Sequence, residues 1–159
     1  MSGLLVRSGL VGVLLLVFAL GATFLSMSGV PTLAQNATGP FTRAQVAAGH
    51  DDYLAYCANC HGANLAGDGD APPLTGEAFA FDWAPRTIRE FYQFISATMP
   101  DGLAGDLSSD TYFNIISFLL AANGAKPGPA PFNNESNVKI GAIANGQIVT
   151  AVVTGGGGP

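Results

Sequence analysis

The sequence predicts a small all-α domain, on three observations. Apolar residues recur at helical spacing in three stretches between Phe41 and Leu120. Loops rich in glycine and proline separate those stretches. The chain has two cysteines, and both fall in one five-residue run directly behind the first helical stretch, with a histidine at its end.

The first 34 residues stand apart from that domain. Arg7 is the only charge before Arg43, and Leu10 to Leu20 is a continuous apolar run. This is the pattern of the apolar region of a secretory signal peptide. Pro31-Thr32-Leu33-Ala34-Gln35 offers a small-residue cleavage site after Ala34. The rival reading is an uncleaved anchor, because the uncharged stretch from Ser8 to Thr42 is long enough to span a bilayer. Gly21, Thr23, Ser26, Ser28 and Gly29 dilute its second half, and the shortness of the dense apolar core favours cleavage. Both readings place the rest of the chain outside the cytoplasmic membrane, which in a Gram-negative bacterium is the periplasm.

Cleavage after Ala34 leaves 125 residues, enough for one domain. It also removes Arg7, so that Arg43, Arg86, Arg89, Lys126 and Lys139 face eleven acidic residues and the net charge becomes −6. So acidic a chain argues against nucleic acid and anionic lipid as partners, and a membrane enters only if the leader is retained. No lysine cluster surrounds the cysteines, so docking through a basic ring is not expected either.

Phe41 to Tyr56 reads as the first helix, with Thr42 as N-cap and Val46, Gly49, Tyr53 and Tyr56 at helical spacing. Gly49 costs helix stability. It is either a tolerated glycine or the mark of a close approach by another helix, and the sequence leaves both open.

The helix runs into Cys57-Ala58-Asn59-Cys60-His61. This C-x-x-C-H spacing is that of c-type haem attachment. The two thiols can add across the two vinyl groups of a haem, and His61 is then held beneath the iron as an axial ligand. Other chemistries fit less well. A thioredoxin-like dithiol wants a βαβ pattern around the motif, and none is visible. A structural zinc site needs four ligands, and the only other histidine is His50. A disulfide across three residues closes too small a loop to stabilise much.

Gly62 to Gly76 reads as loop. Asp68 and Asp70 hint at calcium, but the required series of oxygen ligands ending in a glutamate is missing, which leaves a solvated turn. Pro85 to Ile95 reads as a second helix with the stripe Ile88, Phe91, Tyr92 and Ile95. Ser108-Ser109-Asp110 caps a third, which buries Tyr112, Phe113, Ile116, Leu119 and Leu120 and ends at Asn123-Gly124. Three helices make a domain short of core, and an embedded haem would supply a large apolar surface.

From Lys126 to Pro159 the character changes. Pro127, Pro129 and Pro131 suggest a linker. Val138 to Ile143 and Gln147 to Val153 are rich in β-formers and meet across Asn145-Gly146, a hairpin signal. A lone hairpin is marginal in water, so it should pack on the domain or on a partner. The alternative is a mobile tail ending in Gly155 to Gly158.

With the leader removed, Met99 is the only methionine left. It lies 38 residues after His61, just past a helix and before Pro100. From there a thioether can reach iron from the face opposite His61, and His/Met ligation raises the reduction potential. The plainer alternative is a methionine filling the core. His50 is the other candidate, but it shares a helix with Cys57 and is poorly placed to reach the opposite face.

These residues together resemble the class I cytochrome c family over roughly Phe41 to Gly124. The resemblance rests on Cys57-Ala58-Asn59-Cys60-His61, Ala71-Pro72-Pro73-Leu74, Met99-Pro100, and the segment from Leu107-Ser108 to Asn123-Gly124. The last two look like bacterial c-type domains that serve quinoprotein dehydrogenases and terminal oxidases. The resemblance implies thioether bonds at Cys57 and Cys60, and His61 and Met99 as axial ligands. It also implies that a carbonyl near Pro72 or Pro73 accepts the Nδ1 proton of His61, a contact that orients the ligand from behind. It implies a helix crossing between Gly49 and Tyr112 or Phe113. Trp83 and Arg86 become candidates for contacts to the haem edge or propionates, with surface packing as the alternative.

The expectation is therefore a leader or anchor at 1–34, a cytochrome c-type domain at 35–124 around one covalent haem c, and a linker with a hairpin-forming tail at 125–159. Its implied role is to carry single electrons between redox proteins, not to catalyse, since only His50 remains as a spare histidine for acid–base work. The alternatives are a fixed electron-transfer subunit of a dehydrogenase or oxidase complex, and a haem ligand sensor with a labile Met99.

Overall fold

The computed structural model describes residues 38–156, so the expected leader or anchor at 1–34 lies outside the described residues. The described chain is all-α: α1 (Arg43–Tyr56), α2 (Ala58–His61), α3 (Gly76–Trp83), α4 (Ile88–Thr98), α5 (Ser109–Ala122), a 3₁₀ turn (Ile140–Ala142) and α6 (Thr150–Val153). Only isolated β-bridges occur among the described residues. No described helix is long and apolar enough to cross a membrane.

Each main helix starts where its capping chemistry dictates. Thr42 accepts from the Gln45 amide at 3.2 Å while Gln45 Oε1 accepts from the Thr42 amide at 3.1 Å, a reciprocal pair that satisfies two otherwise orphaned donors. Thr87 and Glu90 form the same box at α4, with the Thr87 amide donating to Glu90 Oε2 at 2.7 Å. That box sets the start of α4 at Ile88, three residues later than the expected Pro85. Ser108 caps α5 by accepting from Thr111 at 3.1 Å.

The α1–α5 crossing is the centre of the fold. A Cβ at Gly49 would overlap the Asn114 carbonyl oxygen and come within 2.9 Å of Phe118 Cβ. Gly49 is thus required by a close approach. Its partners are Asn114 and Phe118, not the expected Tyr112 or Phe113, and the reason is helical phase. Asn114 and Phe118 lie one turn apart on the face toward α1, while Tyr112 turns to the loop after α4 and Phe113 packs against Tyr92 and Phe132. Asn114 Nδ2 donates to Asp52 at 3.1 Å, and Tyr53 packs on Phe118 at 5.3 Å between ring centres, closing the crossing on both sides.

α3 was not expected from the sequence. It buries Phe79 alone, and Asn123 holds its start: Asn123 Oδ1 accepts from the Gly76 amide at 3.0 Å, and Nδ2 donates to the Leu74 and Leu119 carbonyls.

The expected hairpin between Val138–Ile143 and Gln147–Val153 does not form. The backbone of the first segment bonds the stretch before α4 instead: Ile88 donates to Val138 at 3.0 Å, Ile140 to Arg86 at 2.9 Å, and Gly141 to Ala84 at 3.0 Å. The second segment bonds the end of α5 through Val149 N to Ala122 O at 2.9 Å and then turns into α6. Asn145-Gly146 does make a turn, but it seats on Gly76 and Ala80 of α3 and joins no strands. Helix ends with free carbonyls and amides offered these partners, and the core offered the apolar side chains a place. Phe132, Ile140, Ala144 and Val152 are all buried, the larger ones contributing roughly 2 kcal/mol each. The stretch read as a linker is held too, by Gly128 N to Phe41 O at 2.7 Å and Phe132 N to Gln45 Oε1 at 2.8 Å.

Candidate haem site

Cys57 ends α1 and begins α2. Its amide donates to Tyr53 O at 2.8 Å, and its carbonyl accepts from His61 at 3.0 Å and Cys60 at 3.2 Å. The two cysteines and His61 are thereby gathered on a single turn. Both thiols are free, Cys57 half-buried and Cys60 exposed. Burial, reinforced by Asp52 and Cys60, pushes the Cys57 thiol up to about 11, so this sulfur stays neutral at physiological pH.

His61 is 8 % exposed, and its Nδ1 lies 2.9 Å from the Pro72 carbonyl. A carbonyl only accepts, so Nδ1 carries the proton and Nε2 keeps its lone pair. Nε2 has no hydrogen-bond partner among the described residues, which leaves it available to a metal. The loop after the motif is built to present that carbonyl. Gly67 N donates to His61 O at 2.9 Å, Asp68 and Ala71 close an exposed turn, and Leu74 N donates to Leu65 O at 2.9 Å. Leu65 is wholly buried despite a positive φ of 63°. Tyr53, also buried, donates from its hydroxyl to Gly62 O at 2.6 Å. Burial and the neighbouring Cys57 hold that hydroxyl protonated, well above the ordinary tyrosine range.

Met99 comes from a separate element. It caps the C-terminus of α4, half-buried against the core, with its amide donating to Ile95 O at 2.8 Å. Its carbonyl accepts from the Tyr112 hydroxyl at 2.7 Å. The other sequence candidates are otherwise engaged. The His50 ring packs edge-on against Phe118 at 5.4 Å, next to Gly155. Trp83 packs on Phe91 and Phe94, and the Arg86 guanidinium lies 5.0 Å from the Trp83 ring centre.

The donor set fits a covalent haem. Two free thiols three residues apart precede an imidazole whose Nδ1 is fixed as donor and whose Nε2 is open. No cluster of three or more His, Cys, Asp and Glu that could hold a metal ion occurs among the described residues, so the thiols are not part of a zinc site there. Tyr53, Tyr112 and Asn123 support the site without any signal in the sequence, because a tyrosine or asparagine at a buried helical position reads the same as core.

The family model described as cytochrome c oxidase, cbb3-type, subunit III matches residues 44–119, from the start of α1 into the last turn of α5. No curated protein and no solved structure matches the chain. A domain of this family carries electrons on haem and is not a catalytic enzyme. With the C-x-x-C-H turn and the all-α fold already in place, the match supports a class I c-type cytochrome family for this chain, similar to terminal oxidase subunits.

Proposed function

We propose that the protein is an exported single-electron carrier whose one covalent haem is attached at Cys57 and Cys60 and ligated by His61 and Met99. The observation that carries this reading is the His61 clamp, in which Pro72 O accepts a hydrogen bond from Nδ1–H and leaves Nε2 for iron. Bound haem supplies a one-electron ferrous/ferric couple. The chain's part would be to hold the group covalently at Cys57 and Cys60, fix the tautomer of His61 and offer the Met99 thioether as a second ligand. A filled position keeps small molecules away, and a His/Met pair raises the potential. The apolar run from Leu10 to Leu20 supports export to the periplasm, either soluble or tethered to the outer face of the cytoplasmic membrane.

The test is spectroscopic. The ferric protein is expected to show the absorption band near the red end that marks sulfur ligation, and Met99→Ala is expected to lose it. Retention of the band in that variant would overturn the assignment of Met99.

The family match favours one refinement, a donor or acceptor of the terminal oxidase class, with quinoprotein dehydrogenases as the other class. Stoichiometric co-purification with a larger enzyme would make the chain a fixed subunit; recovery as a free protein would make it a diffusing carrier.

A further inference from the structure

The loop carrying Met99 has few internal restraints. Leu103 N donates to Pro100 O at 2.9 Å and Asp106 N to Leu103 O at 3.1 Å, two successive turns over exposed residues. Both ends of the loop converge on one side chain. The Tyr112 hydroxyl donates to Met99 O at 2.7 Å and accepts from Gly105 N at 3.2 Å. Tyr112 itself is 2 % exposed, in the first turns of α5, with its ring edge-on to Tyr92 at 6.3 Å between centres. A buried hydroxyl that both donates and accepts has its capacity well used, and removing it leaves a carbonyl and an amide unpaired.

We infer that Tyr112 is a positioning residue for Met99, a latch that ties the ligand's own carbonyl to the far end of its loop. The inference rests on the reading of Met99 as an iron ligand. With the Met99 backbone held, the thioether reaches iron by its own side-chain torsions. Without the latch the loop spends more time displaced, and the coordination position opens more often.

The experiment uses the haem-loaded full chain and the Tyr112→Phe variant, which keeps the ring and its packing. The rate of carbon monoxide binding to the reduced protein reads how often the position opens. That rate is expected to rise about tenfold, the effect of losing roughly one to two hydrogen bonds in a buried setting. The sulfur-to-iron band of the ferric form is expected to be lost at a lower temperature than in the unaltered protein. Val152→Ala is the control, since it removes buried apolar surface from α6, which supplies no residue to the site. It is expected to lower the unfolding midpoint and to leave the carbon monoxide rate unchanged.

A wild-type rate in Tyr112→Phe, or an equal acceleration in Val152→Ala, overturns the latch. A sulfur band absent from the unaltered protein overturns the ligand reading, and the latch with it. Should Tyr112→Phe fail to fold, hydrogen exchange on the unaltered protein answers the same question by reciprocity. Imidazole that displaces the sulfur is expected to expose the Gly105 amide to exchange while the Gly67 amide stays protected. A Gly105 amide that stays protected under imidazole overturns the proposal.

Discussion

The His61 turn and the Met99 loop are held in opposite ways. Around His61, backbone and side-chain bonds within Tyr53–Leu74 fold one short stretch onto itself, and Asn123 anchors its far end. Around Met99, two exposed turns are tied at a single tyrosine hydroxyl from another helix. Many local bonds make a rigid site, because no single opening releases it. A loop restrained at one point can open as a unit. The imidazole is therefore the fixed member of the proposed pair and the thioether the exchangeable one. On that proposal, the Met99 side would tune the iron while the His61 side keeps the haem in place.

The largest expected effect strikes both regions together. α1 leads into Cys57 and α5 carries Tyr112, and Gly49 is where the two helices meet. Gly49→Ala places a methyl on the Asn114 carbonyl, which is backbone and cannot rotate away. The helices must separate, at a cost of about 3 kcal/mol in denaturant unfolding, the upper part of the range for overpacking. A change within about 0.5 kcal/mol would mean that the crossing is not the joint of the two regions.

The next effect is confined to the His61 side. Asn123 is fully buried and serves Gly76, Leu74 and Leu119. Asn123→Ala leaves those groups short of partners and is expected to cost about 2 kcal/mol. Amide exchange should quicken at Leu74 and Gly76, with Gly105 at the wild-type rate. Equal quickening at Gly105 would break the distinction between the regions.

These residues also mark how much was legible beforehand. Helices α1, α4 and α5 were readable because their apolar stripes and caps are local, and Thr42 and Ser108 cap as their types suggest. The cysteine turn was readable because its chemistry demands a fixed spacing. α3 was not, since it buries one side chain and owes its start to Asn123, 47 residues away. The tail misled for a related reason. Val138, Ile140, Ile143 and Val149 have β-forming side chains, yet the nearest unsatisfied backbone belonged to the stretch before α4 and the end of α5. Gly49 was flagged as a crossing glycine, but which α5 residues it meets depends on a helical phase that only the packed pair defines.

The smallest expected effect lies on the Met99 side and depends on pH. α4 delivers Met99 from its C-terminus, and the Thr87–Glu90 box fixes its N-terminus. Thr87→Ala removes the cap and is expected to cost about 1 kcal/mol at neutral pH. The bonds from Thr87 hold the Glu90 carboxyl below the ordinary glutamate range, with Arg86 and Lys139 adding to them. A carboxyl whose folded pKa is depressed contributes stability that is present above the unfolded pKa and fades as pH falls through the folded one. Thr87→Ala removes only the hydroxyl's bond to that carboxyl and keeps the larger one from the residue-87 amide, so its cost should shrink in part, not vanish, as the solution is acidified below the ordinary glutamate pKa. Unfolding curves of both proteins across that window measure the difference. Two curves that stay parallel to the acid end would show that the Thr87 hydroxyl holds the helix that presents Met99 only by accepting from the Glu90 amide, and that its own bond to the carboxylate has no share.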